Sequence, residues 1–393
     1  MNPDHIRQHG NKVVEDMAEY YGSLDDLQPG STVEPGHLYS LISHNVPEEP
    51  ESFEAVQQDV KNIIMPGLVH WQSPNFYAWY PLNNSVPSIL GDMYMSMLNI
   101  VPFSWMCSPS AAELEAIVMN ALGRLIGLDE RFLSVPNQRN SRFGGGAIQG
   151  GASETVLVVM AAAREKTIAR QLDILGLTLE EEREDAADNV RIKLVAYCSD
   201  QTHSSVEKAA KILGCKIHIV PTIDGDFRLT NASLAAAVEK DIARGRIPFF
   251  TCASFGTTNT ATIDDIAGIA NVCKEYHMWL HVDAAYAGAL LACPEFRPLA
   301  AGIERADSFT FNPYKGMLTS ACCSCMWVAD SRDINSAMSI TREYLPTVDG
   351  KMEARDNRFW KLQLGQPFSA LKLWFVLRMH GVSGIRQHIR QKV

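Results

Sequence analysis

IDDIAGIANVCKEYHMWLHVDAAYAG, residues 263–288, changes period within a single stretch. Its first part, 263–276, reads as a helical stretch, and MWLHVDAAYAG, 278–288, as a short apolar run of strand length. The same alternation spreads outward on both sides. Apolar runs recur at RIKLVAYCS (191–199), KIHIVPT (216–222), PFFTCASFGTT (248–258), DSFTFNPYK (307–315) and CCSCMWVAD (322–330). Between them lie helical stretches such as SSVEKAAKILG (204–214), with capping-box spacing at Ser204 and Glu207 and a terminal Gly214. Short strands alternating with helices predict an α/β fold built on a mostly parallel sheet covered on both faces. In such sheets ligands sit beyond the carboxyl ends of the strands. Chemistry is therefore sought at strand ends.

Upstream, SAAELEAIVMNALGRLIGL (110–128) reads as a core helix, with Ser110 and Glu113 at capping-box spacing and Leu114, Ile117, Val118, Ala121 and Leu125 as its apolar stripe. Two earlier helical patterns, about 4–22 and 52–64, suggest an N-terminal arm. The last stretch, FSALKLWFVLRMHGVSGIRQHIRQKV (368–393), reads as a helix broken near Gly381–Gly384 and then resuming. The 393 residues include 46% apolar and 20% charged side chains, an ordinary globular balance. A formal net charge of −10 disfavours a nucleic-acid partner. The start, MNPDHIRQHG, lacks a signal pattern, and no run reaches membrane-span length, so a cytoplasmic protein with no membrane partner is expected. Nine cysteines spread through apolar segments read as reduced thiols. Cys322, Cys323 and Cys325 have no second ligand pair nearby and read as strand packing, with no metal site.

Four strand or helix ends carry unusual residues. GGGAIQGGASETVLVVMAAA (144–163) leads small residues into a helix beginning near Ser153, which suits a phosphate or simply a tight turn. Asp283 interrupts an apolar strand, as a turn cap or as the partner of a cationic ring nitrogen. At about 4 Å and an effective dielectric near 20, that pairing is worth roughly 4 kcal/mol, enough to keep a pyridinium protonated. His203, in SDQTHSSVEKA (199–209), stands between a strand and a helix, where local hydrogen bonding explains it equally well. Lys315, in FNPYKGML (311–318), is either a solvated strand-end lysine or an amine placed for covalent work. Together the four meet the needs of pyridoxal phosphate: a lysine for the Schiff base, a carboxylate for the ring nitrogen, a helix start for the phosphate and a flat group over the ring.

The stretches YPLNNSVPSILGDM, FSWMCSPSAAELE, SDQTHSSVEKA, GTTNTATIDDI, WLHVDAAYAGALLACPEFR, ADSFTFNPYKGML and LKLWFVLRMHGVSGI resemble the aromatic L-amino acid decarboxylase family, the group II pyridoxal phosphate decarboxylases of fold type I. The resemblance implies a helical dimer-forming arm over 1–85, a large cofactor-binding domain over 86–371, and the start of an incomplete C-terminal small domain over 372–393. It implies a homodimer that converts an aromatic amino acid to its amine and carbon dioxide. By the same resemblance Lys315 is the Schiff-base lysine, Asp283 the ring-nitrogen partner and His203 the stacking group. Gly151, Ala152, Ser153, Ser308 and Asn312 fall at phosphate positions, and Thr258 and Ala285 line the ring. Tyr344, in ITREYLPTVDGKMEARDNRFW (340–360), corresponds to the acid that returns a proton to the α-carbon. Relatives with phenylalanine there tend toward aldehyde formation. Trp79, Tyr80, Leu82, Phe103 and Gly365 fall at side-chain pocket positions, and Leu82 stands where catecholamine-forming relatives often carry threonine. Three features depart from the family pattern: Tyr314 for a histidine, Gly316 for a tryptophan, and an early ending. They keep an impaired homologue with a binding or regulatory role as an alternative, and within enzymes an aldehyde synthase or a histidine-type decarboxylase is the runner-up.

Overall fold

The computed structural model describes residues 1–80, 82–135, 143–177, 179–223, 225–339 and 357–393. The chain divides into two compact units, Met1–Leu82 and Asn83–Val393. In the first, helix Pro3–Gly22 starts where the Asn2 side chain accepts from the Asp4 amide, with Pro3 preset for the first turn. Helix Phe53–Asp59, capped by Ser52, continues as a wider turn over Val60–Ile64, so the two helical patterns expected there are present. Lys12 joins Glu54 at 2.6 Å and Lys61 joins Asp16 at 2.5 Å, tying the two helices together. Trp71 and Trp79 stack at 5.3 Å in the same unit.

The second unit is built on a seven-stranded sheet. Its strands are β1 (Gly145–Gln149), β2 (Leu194–Ser199), β3 (Lys216–Val220), β4 (Ile247–Ser254), β5 (Trp279–Asp283), β6 (Ser308–Phe311) and β7 (Ser324–Val328), in the spatial order β1-β7-β6-β5-β4-β2-β3. Strands β3, β2, β4, β5 and β6 run parallel, and β7 is antiparallel to both β6 and β1. Successive side chains point to opposite faces, and each face has its own apolar layer. Val118, Met119 and Leu122 from helix Pro109–Leu125 pack with Tyr197, Val282, Phe309 and Trp327 on one side. Val156, Val159 and Met160 from helix Ala152–Leu175 pack with Ala196, Phe250, Trp279 and Met326 on the other. The mostly parallel sheet expected from the sequence is thus present, covered on both faces.

Three local readings are corrected. β1 is a strand that the sequence pattern does not announce, because glycine is a poor strand former. Its glycines serve packing: a Cβ on Gly146 would come within 2.7 Å of Trp327 and Met119, and one on Gly145 within 2.8 Å of Trp360. The helix expected from Ser110 starts at Pro109, with Ser108 at its N-cap making no side-chain hydrogen bond and Ser110 already inside the first turn. Its buried stripe is also rotated, since Glu115 is 3% exposed whereas Ile117 is 54% exposed. Likewise Ser204 forms no side-chain cap on helix Ser205–Ile212. The C-terminal helix, Ala370–Arg390, bends at Gly381 (φ 61°, ψ 179°), within the expected break.

Candidate active site

Asp283 ends β5, level with Ser254 of β4 and Thr310 of β6, and is 7% exposed. Its Oδ1 accepts the Ala285 amide at 2.9 Å, which aims the carboxylate along the strand's exit. Beyond β6, Asn312 donates its backbone amide to Ala285 O at 3.2 Å, so the two strand ends are stitched together. Lys315 follows in the single helical turn Pro313–Gly316. Burial pulls its amine below the ordinary lysine range, and the charge of Asp283 restores part of the loss.

The phosphate-loop candidate reaches the same edge of the sheet by topology. Since β7 opposes both neighbours, β1 runs parallel to β6, and Gln149 and Phe311 pair with the adjacent residues Ser324 and Cys325. Helix Ala152–Leu175 then starts directly after Gly151, whose cap position has no side-chain hydrogen bond and whose Cβ direction is open to 4 Å. Glu154 Oε2 accepts the Gly150 amide at 2.9 Å and its Oε1 accepts from Gln366 at 3.2 Å. The cradle is thereby held from its own first turn.

His203 lies four residues past the end of β2 and is exposed. Its Nδ1 accepts the Ser205 amide at 3.2 Å, so in the neutral ring the proton sits on Nε2. Thr258 is exposed in the turn beyond β4. That turn is set by Gly256, whose φ of +91° and 2.7 Å approach to the Ala287 Cβ both exclude a side chain. Gly151, Ala152, Ser153, His203, Thr258, Asp283, Ala285, Asn312 and Lys315 therefore share one sheet edge. Ser308 does not, because it opens β6 opposite His281, and its hydroxyl meets Trp279 Nε1 and His281 Nδ1, both at 2.8 Å.

Trp79, Tyr80 and Leu82 belong to the first unit, where Trp79 is 72% exposed. In the second, Phe103 O accepts the Arg358 amide at 3.1 Å, and a Cβ added at Gly365 would meet nothing within 4 Å among the described residues. Tyr344 lies outside the described residues.

Tyr314 and Gly316 find local explanations. Asn312 Nδ2 donates to Tyr314 Oη at 2.8 Å, and burial pushes the phenol up to about 12. Gly316 admits Ala289, whose Cβ would lie 3.0 Å from a side chain there. Sequence reading missed Asp264, which accepts the Ser254 and Leu229 amides, both at 2.7 Å, and which burial raises to about 7. The available signal was the doublet Asp264–Asp265: Asp265 caps helix Ile266–Glu275 through Gly268, leaving the other acid without a capping role.

The residue set fits pyridoxal phosphate on its chemistry. It offers a half-buried amine, a carboxylate at the neighbouring strand end, an uncapped helix start and a buried Asn312 Oδ1 with no hydrogen-bond partner. Comparisons with known proteins agree. Residues 35–393 match the family described as "Pyridoxal-dependent decarboxylase conserved domain". An aromatic-L-amino-acid decarboxylase of Sus scrofa is 43% identical over the whole of this chain and 79% of its own length. A phenylacetaldehyde synthase of Arabidopsis thaliana is 39% identical over the whole chain and 77% of its own. An Oryza sativa TDC crystallised with PLP and tryptamine superposes with a TM-score of 0.92 at 33% identity, covering all of this chain and 78% of that one.

Proposed function

Because this chain belongs to the pyridoxal-dependent decarboxylase family, we propose that it converts an aromatic L-amino acid to the corresponding amine and carbon dioxide. The observation that carries the reading is Lys315 held below the ordinary lysine range one strand end away from buried Asp283. Pyridoxal phosphate, when bound, supplies a sink for the electron pair left as carbon dioxide departs. The chain's own groups supply the rest. Lys315, whose burial pulls its amine below the ordinary lysine range, would be the group that holds the cofactor. Asp283 would keep a proton on the ring nitrogen, and the amides at the uncapped helix start, Gly151, Ala152 and Ser153, would hold the phosphate together with Asn312. His203, whose Nδ1 accepts the Ser205 amide, would cover the ring, and Thr258 and Ala285 would line it. Ser308 acts behind this group through Trp279 and His281. Tyr344 is assigned, on sequence, as the acid that protonates the α-carbon.

On sequence, side-chain selection is assigned to Trp79, Tyr80, Leu82, Phe103 and Gly365, residue types that suit an aromatic ring. Leu82 offers no hydroxyl to a ring hydroxyl, which favours tryptophan or phenylalanine. A homodimer formed through the arm, residues 1–85, is supported by apolar side chains left on the surface there, among them Tyr39 at 79% and Val46 at 92% exposure. The large domain is taken as 86–371 and the start of a further domain as 372–393. All nine cysteines are free, which supports a reducing, cytoplasmic setting. Among the described residues no helix is long and apolar enough to cross a membrane.

Incubation with pyridoxal phosphate and a mixture of amino acids, followed by mass analysis, is expected to yield aromatic amines and carbon dioxide, with tryptophan or phenylalanine consumed ahead of 3,4-dihydroxyphenylalanine. Aldehyde with ammonia and peroxide would instead establish the aldehyde-synthase alternative, which the Arabidopsis thaliana relative keeps in view.

A further inference from the structure

We propose that Asn83 is a positioning residue for Lys315, an amide clamp whose orientation is dictated by the end of the C-terminal helix. Asn83 is 7% exposed and uses its polar atoms in two directions. Its amide N–H donates to Tyr314 O at 2.7 Å, and its Nδ2 donates to Lys315 O at 3.0 Å. Its Oδ1 accepts from Lys392 Nζ at 2.5 Å and His388 Nε2 at 3.1 Å. An ammonium can only donate, so the atom facing Lys392 is the carbonyl oxygen and the atom facing Lys315 is the NH₂. The usual ambiguity of an asparagine amide is thereby removed.

The clamp acts where the chain needs it. Gly316, directly after Lys315, adds backbone freedom that a larger residue would not. Holding the Tyr314 and Lys315 carbonyls restricts that freedom on the near side, and Ser85 Oγ donating to Leu318 O at 2.6 Å restricts it on the far side. The lysine's approach to its reaction partner is thus set partly by residues more than 200 positions away in sequence, none of them at the sheet edge.

The inference rests on the reading of Lys315 as the cofactor-holding amine, and its test separates the two. The full chain is loaded with pyridoxal phosphate, and hydroxylamine is used to time the loss of the visible absorption band. In a parallel experiment the rate of acetylation of Lys315 is compared with that of exposed Lys216 by peptide mass spectrometry. Asn83→Asp keeps the acceptor for Lys392 and His388 but cannot donate to Lys315 O. Asn83→Ala removes both, and Lys392→Met removes only the orienting donor. Loss of one such hydrogen bond is expected to speed band loss and acetylation by roughly three- to tenfold in Asn83→Asp and Asn83→Ala alike. Lys392→Met should act in the wild-type background and add nothing in Asn83→Ala. Wild-type rates in Asn83→Asp, or additive effects of Lys392→Met, would overturn the clamp, whatever happens to the melting temperature. Absence of a band in the wild type would overturn the functional reading, and the clamp would then be decided by the acetylation rates.

Discussion

Asp283 and Lys315 show how little of a residue's role lies in its own chemistry. Each is an ionisable group at the end of a buried strand, and each gains meaning from the other's position one strand away. Replacing Asp283 by Asn removes the charge while keeping the Ala285 contact's geometry. At an interaction worth about 4 kcal/mol, kcat is expected to fall by up to roughly a thousandfold with the fold retained. Steady-state rates alongside circular dichroism check this. Two buried groups off the reaction path should make themselves felt in stability. Burial holds His281 down to about 4, whereas in the unfolded chain it titrates near 6.5. Between those values the unfolded chain binds the extra proton, so stability falls as pH drops through that window, by about 3 kcal/mol in all. Asp264, raised to about 7 from an unfolded value near 3.8, has the opposite sign: its contribution is present at low pH and is lost as pH rises through the same region. Urea midpoints measured from pH 4 to 7 should therefore tilt upward with pH in Asp264→Asn and downward in His281→Phe, each relative to wild type.

Among elements, the strands were legible where a run of apolar residues had glycine or charge at its ends: β2, β3, β5, β6 and β7 lie within the runs read from sequence, and β4 begins one residue ahead of its run, at Ile247. β1 was not legible, because its glycines answer to tryptophans brought in from far along the chain rather than to any local rule. Two helix starts were misread: neither Ser-x-x-Glu spacing makes a side-chain cap, because Ser110 already lies inside its helix and Ser204, at the cap position, already has helical backbone angles. At the candidate site, Asp283 and Lys315 were legible as unusual residues at strand ends, and the structure brings them to neighbouring strand ends. The buried Asp264 was marked only by its doublet with Asp265, and the Asn83 contacts were not legible, since they join residues far apart in the chain. The glycines offer a direct comparison. Gly146→Ala forces a methyl against Trp327 and Met119 and should cost about 1–3 kcal/mol in chemical denaturation. Gly151→Ala meets nothing within 4 Å and should melt like wild type while weakening cofactor binding in a fluorescence titration, because the added methyl borders the proposed phosphate cradle.

At the scale of the larger unit, charge has been taken into the core to join distant segments. Glu115 accepts the Ile148 amide at 2.9 Å, just ahead of the phosphate turn, and pairs with Lys361 at 3.0 Å, both side chains being almost fully buried. Asn357 Nδ2 donates to Pro102 O at 3.2 Å alongside, so the segment that begins at residue 357 is pinned next to Phe103. Lys361→Met takes a buried cation away from a buried carboxylate and should destabilise the fold by about 3–5 kcal/mol, read from urea midpoints at pH 7. Strand order has a temporal consequence as well. β1 takes β7 as its neighbour, so a strand made early in synthesis has no partner until residues 324–328 have left the ribosome. The phosphate turn at its end is then among the last parts of the sheet edge to be completed, after β4 and β5 have met. A nascent chain that has already exposed the proposed lysine, Lys315, would then still lack the turn proposed to hold the cofactor's other end.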